Sequence, residues 1–219
     1  MNKINIAIDG PVGCGKSTTA KLLAKKLNYN FLDTGAMYRA VGVYLHEKRI
    51  LPTDVLDKDL AELKLSFNEN NLIQVNGEDY ERKIRTAEGG RLGSNYATVK
   101  PVRDFLSKMQ KEIVENKGYI AEGRDIGSVV MPNAELKIYL NASIEERAKR
   151  RLLDFQKSGF DYSLQEVMRI VEERDFQDMN RKISPLIKCS DAIEVDTSSM
   201  TIEEQVEKIY QLANNIIKS

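Results

Sequence analysis

The stretch GPVGCGKST, residues 10–18, follows the apolar run INIAI directly and constrains the fold more than any other feature of the chain. Gly10, four further residues, then Gly15, Lys16 and Ser17 match the spacing G-x-x-x-x-G-K-[ST]. Glycines in such a loop let successive backbone N–H groups curl round one anion, and the helix that follows adds the positive end of its dipole. The pattern needs a strand before it and a helix after it, and INIAI and STTAKLLAKKL supply both. Gly10, Pro11, Val12, Gly13 and Cys14 are therefore expected to cradle the phosphates of a nucleoside triphosphate, together with Gly15, Lys16, Ser17 and Thr18. Lys16 would reach the β- and γ-phosphates, and the Ser17 hydroxyl would ligate Mg²⁺.

Apolar runs bounded by turn residues recur at INIAI (4–8), YNFL (29–32), GYIA (118–121), LKIYL (136–140) and AIEV (192–195), with helical patterns between most of them. Strands apolar on both faces and alternating with helices predict an α/β fold, a five-stranded parallel sheet covered by helices on both faces. Three helix starts carry a capping-box pattern: Ser143 with Glu146, Ser163 with Glu166, and Thr201 with Glu204. After the last, Ile202, Val206, Ile209, Ala213 and Ile216 form one apolar stripe, read as core packing. Residues 63–84 break the alternation with short β-like runs around NENN and NG, which predicts a small antiparallel meander inserted into the core.

The 219 residues suit one well-cored domain, or one domain with an insertion. Lys plus Arg and Asp plus Glu both total 33, so the zero net charge gives no global pull toward nucleic acid or an anionic membrane. Cys14 and Cys189 fit neither a disulfide framework nor a metal-ligand spacing. The N-terminus is too short in apolar residues for a signal peptide and no span of about 18 apolar residues occurs, so a soluble cytoplasmic protein is expected. His46, near a helix end, is read as a surface or capping residue.

A phosphate cradle serves switches, motors and kinases alike. A guanine reader [NT]-K-x-D is absent, and little length is spare for a motor's further domains. A kinase needs an acceptor site lined with cations. DTGAMYR (33–39) follows the second strand and offers Asp33, Thr34, Tyr38 and Arg39, and EGRDIG (122–127) follows the third with Glu122, Arg124 and Asp125. In RDFQDMNR, Arg174, Asp178 and Arg181 stand at i, i+4 and i+7 on one helical face. Arg147, Arg150 and Arg151 on the preceding helix complete a basic hairpin between strands four and five, expected to close as a lid that brings arginines over the transferring phosphoryl group. No catalytic base is needed if the acceptor is itself a phosphate, already an anionic nucleophile near neutral pH.

Together these stretches resemble the bacterial cytidylate kinases of the nucleoside monophosphate kinases. The resemblance runs through IDGPVGCGKST, FLDTGAMYR, IRTAE, KPVRDFL, EGRDIGSVV, KIYLNAS and ERDFQDMNRKISPL, and so over essentially the whole chain. It implies transfer of the γ-phosphoryl group of ATP to CMP or dCMP, with Mg²⁺, in pyrimidine metabolism. It also implies one P-loop kinase domain over 1–219, an inserted monophosphate-binding subdomain at 62–100 and a helical lid at 145–185, in a monomer that binds no nucleic acid and no membrane. By the same resemblance Ser94, Arg103 and Asp125 would read the cytosine, and Arg174 and Asp178 would meet the sugar. Arg39, Arg124 and Arg181 would hold phosphate or the adjoining base edge. Lys16, Arg124 and Arg181 are the expected catalytic groups. The alternatives are another small-molecule P-loop kinase, for a different nucleoside monophosphate or shikimate, and a nucleotide-binding switch. Glu122 stands where the family commonly has aspartate, Thr34 replaces a frequent serine, and Gly89-Gly90 follows RTAE where a larger apolar residue is usual, which is expected to loosen the hinge of the insert.

Overall fold

The computed structural model describes residues 3–157 and 159–218. Its strands are β1 (Ile6–Asp9), β2 (Asn30–Asp33), β3 (Leu65–Phe67), β4 (Ile73–Val75), β5 (Glu78–Asp79), β6 (Tyr119–Gly123), β7 (Leu136–Asn141) and β8 (Ile193–Asp196). The helices are α1 (Lys16–Leu27), α2 (Thr34–Glu47), α3 (Asp57–Ala61), α4 (Glu81–Ile84), α5 (Ala87–Tyr96), α6 (Lys100–Ile113), α7 (Ile144–Lys157), α8 (Leu164–Asn180) and α9 (Ile202–Lys218). The chain divides into two compact units, one of residues up to Leu32 together with Val114 onward, the other Asp33–Ile113. Among the described residues no helix is long and apolar enough to cross a membrane.

The first unit is built on the sheet β2-β6-β1-β7-β8, each strand of which falls on one of the five apolar runs. Strand β1 pairs in parallel with β6 on one side and β7 on the other, with Ile8 level with Glu122 and Ile138. Every β1 residue is buried, and successive side chains point to opposite faces, so both faces are covered. One face packs under α1 and α9, where Ile6, Ile8, Ile138 and Leu140 meet Leu23, Val206 and Ile209. The expected α9 stripe is this contact: Val206, Ile209 and Ala213 are buried, and Ile202 and Ile216 pack at its margin. The crossover leaving β1 runs to β2 on one side and that leaving its neighbour β6 runs to β7 on the other, so the carboxyl ends of β1 and β6 flank the switch point where ligands bind in open α/β sheets.

The second unit carries the meander. Strands β3, β4 and β5 form an antiparallel sheet in that order, and Asn76 and Gly77, with φ of 51° and 84°, make the two-residue turn between β4 and β5. At Gly89, on α5, the backbone runs close to that of α4. A Cβ at Gly89 would stand 2.7 Å from the Lys83 carbonyl oxygen and 2.8 Å from that of Ile84, so glycine there lets α5 pack tightly on the backbone of α4.

Candidate active site

The loop from Gly10 to Gly15 leaves the end of β1 and enters α1, as the G-x-x-x-x-G-K-[ST] spacing demands. Gly13 and Gly15 take φ of 78° and 93°, values that side-chain-bearing residues rarely adopt. The Lys16 ammonium is buried beside the loop, 2.6 Å from the Pro11 carbonyl oxygen and 3.6 Å from the Cys14 sulfur. Burial, and then the charge of Arg124, push its pKa below the ordinary lysine value. An anionic phosphate at the loop would add to the negative charge that Glu122 and Asp178 already set near it. Ser17 and Thr18 lie exposed on the first turn of α1, and the Ser17 hydroxyl donates to Glu122 at 2.7 Å. That pair, a hydroxyl and a carboxylate oxygen, is the donor set a hard divalent cation takes when phosphate oxygens and water complete its shell.

Strand β6 ends in Glu122 and Gly123, and a π-helical turn over Ile126–Val130 follows Arg124 and Asp125. Asp9, the last residue of β1, holds this turn: its two carboxylate oxygens accept the Ile126 and Gly127 N–H groups at 2.9 and 2.7 Å. Burial raises the Asp9 pKa to about 6, against the lowering effect of those two bonds. Asp9 was not among the residues expected to matter. Its signal was a carboxylate at the end of an otherwise apolar strand, directly before the first glycine of the loop.

Asp178 gathers the arginines. Arg124 Nε lies 2.7 Å and Arg174 Nε 3.1 Å from its Oδ2, and Arg181 Nη1 stands 3.8 Å from its Oδ1. Burial alone would raise its pKa, but Arg124, then Arg174 and Arg181, overcome this and hold it at about 2. Arg174 and Asp178 share a face of α8 as expected. Arg181 lies just beyond the helix in extended geometry and reaches back, with Nη2 3.3 Å from Asp125 and Nε donating to the Ser184 carbonyl at 2.7 Å. Arg124, Asp125, Arg174, Asp178 and Arg181 thus form one connected charge network.

The other arginines of the basic hairpin have partners within the fold. Arg147 is buried, donates to the Ala142 and Val12 carbonyls at 2.9 and 3.1 Å, and is ion-paired with Asp175. Arg150 donates to the Thr197 hydroxyl and carbonyl at 3.2 and 2.6 Å. Both are held by partners on the protein itself. Arg151 sits over the Phe155 ring, 4.6 Å from its centroid.

In the second unit Asp33 caps α2, accepting the Ala36 N–H at 2.7 Å, while Arg39 and Arg85 reach its carboxylate at 3.3 and 3.1 Å. Burial would raise its pKa, and the two guanidinium groups, with that N–H, bring it below the usual value instead. Asp33 therefore holds two cations in place, and Arg85, within the IRTAE stretch, was not singled out from the sequence. Thr34 and Tyr38 lie buried on α2, and Ser94 is buried on α5. Arg103 on α6 is almost fully buried, donating to the Ala97 carbonyl at 3.0 Å with its guanidinium 5.2 Å from the Tyr38 ring centroid. His46 is exposed in the last turn of α2, as expected.

Residues 6–215 match the sequence profile of the family described as cytidylate kinase. A cytidylate kinase of Fervidobacterium nodosum is 49% identical over 207 residues, covering 94% of both chains. One of Thermotoga neapolitana is 46% identical over 217 residues, covering 98% of both. Among solved structures, an uncharacterized protein from Eubacterium ventriosum shares the fold with a TM-score of 0.54 at 15% identity, over 98% of this chain and 99% of its own. A profile match over nearly the whole length, and relatives this similar end to end, agree with the phosphate loop and the arginine network: the chain belongs to the cytidylate kinase family.

Proposed function

We propose that this chain transfers the γ-phosphoryl group of ATP to CMP or dCMP, giving ADP and CDP or dCDP. The observation that carries the reading is the phosphate loop, with Lys16 buried at its base, in the same unit as the network that Asp178 builds from Arg124, Arg174 and Arg181. Family membership narrows the acceptor. A phosphate acceptor brings its own anionic nucleophile, so the protein's task is alignment and charge stabilisation. Lys16, Arg124 and Arg181 supply positive charge to the transferring group. Asp178 keeps Arg124 and Arg181 oriented, which spares the transition state the cost of ordering them.

Ser17 and Glu122 are the residues that would hold Mg²⁺. Held there, it would supply positive charge against the negative charge that develops on the transferring phosphoryl group. For the acceptor, the first unit offers the Asp125 carboxylate to the cytosine amino group; the second unit, taken by itself, carries Ser94 and Arg103 as base-reading groups and Arg39, braced by Asp33, for phosphate. Cytosine offers a donor at N4 where uracil offers a carbonyl oxygen, so a carboxylate discriminates between them. Residues 62–100 serve as the monophosphate-binding insert and 145–185 as the lid, and the setting is pyrimidine nucleotide metabolism in the cytoplasm.

The test is ADP release from ATP and Mg²⁺ with CMP, dCMP, UMP, AMP, GMP or shikimate added one at a time. Fast release with CMP and dCMP alone is expected. Release that does not depend on any acceptor would overturn the kinase reading.

A further inference from the structure

Val12 has both of its backbone hydrogen-bonding groups held from outside the phosphate loop. Its N–H donates to Asp175 Oδ1 at 3.1 Å, and its carbonyl accepts from Arg147 Nη1 at 3.1 Å. Arg147 is itself ion-paired with Asp175 Oδ2, and its Nε is tied to the Ala142 carbonyl at 2.9 Å. One residue of the loop, one carboxylate on α8 and one guanidinium on α7 therefore close a ring of charge-assisted bonds, with Asp175 and Arg147 both buried. The neighbouring residue adds a steric restraint. A Cβ at Gly13 would stand 2.8 Å from the Arg147 carbonyl oxygen and 3.1 Å from its Cβ, so the loop backbone rests directly on α7.

The loop needs such a brace. A glycine-rich segment has little side-chain packing of its own, and fixing its residues costs conformational entropy. Donors that must be ordered when the anion arrives bind it less tightly than donors already in place. Asp178, three residues along α8 from Asp175, holds Arg124, just beyond β6, so one helix grips the loop with one carboxylate and the arginine network with the other.

We propose that Asp175, acting with Arg147, is the positioning residue of the phosphate loop, holding Val12 so that the cradle is formed before ATP binds. This rests on the reading of the loop as an ATP site. The experiment is equilibrium titration of the full-length wild type, Asp175→Ala and Asp175→Asn with ATP and separately with CMP, well below each melting temperature. Asp175→Ala should lose ATP affinity about tenfold, the scale of one hydrogen bond to a charged group, with CMP affinity within about twofold of wild type. Asp175→Asn keeps an oxygen that can accept the Val12 N–H and should recover part of the loss. Should Asp175→Ala fail to fold, Asp175→Asn carries the same comparison, with a smaller loss confined to ATP. Wild-type ATP affinity in Asp175→Ala, or equal losses for ATP and CMP, would overturn the proposal and leave the ATP site itself standing. A folded wild type that binds no ATP would remove both.

Discussion

Lys16 and Asp125 are the two residues at which single-atom chemistry weighs most heavily. The Lys16 ammonium is buried against the Pro11 carbonyl, with Arg124 depressing its pKa further. An ammonium held so is a preorganised charge whose removal water cannot replace. Lys16→Ala should lower turnover by on the order of 10²-fold or more, read as kcat at saturating ATP and CMP. Near-normal turnover would assign the role to another cation. Asp125 is paired with Arg181 at 3.3 Å, which fixes the direction its carboxylate faces. Asp125→Ala should lower activity and narrow the ratio of kcat/KM between CMP and UMP, because the amino group of cytosine loses its acceptor while uracil loses an opponent. A variant that kept the wild-type ratio would take Asp125 out of base recognition.

At the scale of elements, the three capping-box patterns part company. At Ser163 the box is complete, with the Glu166 carboxylate 2.8 Å from the Ser163 N–H and the Ser163 hydroxyl taking the Glu166 N–H at 3.3 Å. Thr201 and Glu204 do the same at 2.8 and 3.2 Å. At Ser143 the hydroxyl accepts the Glu146 N–H, but the Ser143 N–H turns to the Ser198 hydroxyl at 2.9 Å and Glu146 pairs with Lys149 instead. Ser198 stands 55 residues away in the chain, so no local pattern announces the exchange. Glu204→Ala should therefore cost roughly 0.5–1 kcal/mol by denaturant midpoint, and Glu146→Ala clearly less. Equal costs would mean that the reciprocal bond contributes nothing to α9.

Over the whole molecule, buried carboxylates set the response to acid. Asp178, held at about 2, stabilises the fold above its unfolded value near 3.8, and that contribution disappears as pH falls through about 2. For Asp178 it amounts to on the order of 2 kcal/mol. Asp33 acts in the same direction in the second unit. Asp9 opposes them: raised to about 6, it favours the fold most below 3.8, and that contribution is lost as pH rises through about 6. Denaturant stability measured from pH 7 to 2 should therefore fall on its acid limb below pH 4, and Asp178→Asn should flatten that limb. Asp9→Asn should gain on the wild type as pH rises from about 4 to 6. An unchanged acid limb in Asp178→Asn would remove that carboxylate from the account.

The sequence by itself determined the five strands, the loop between β1 and α1, the Asn76-Gly77 hairpin and the start of α8 at Ser163, because each depends on backbone preferences and side-chain periodicity within a few residues. It also placed Arg174 and Asp178 on one helical face, since helical spacing is local. Only the tertiary structure decided which charges are available to a ligand. Arg147 and Arg150 read as lid cations, yet their partners are Asp175, the Val12 carbonyl and Thr197, the last two 135 and 47 residues away. Asp175 reaches Val12 across 163 residues, and Arg85 reaches Asp33 across 52. A guanidinium or a carboxylate has the same local signature whether it braces a loop or meets a phosphate. What separates the two roles is the counter-charge and the burial that the folded chain brings to it.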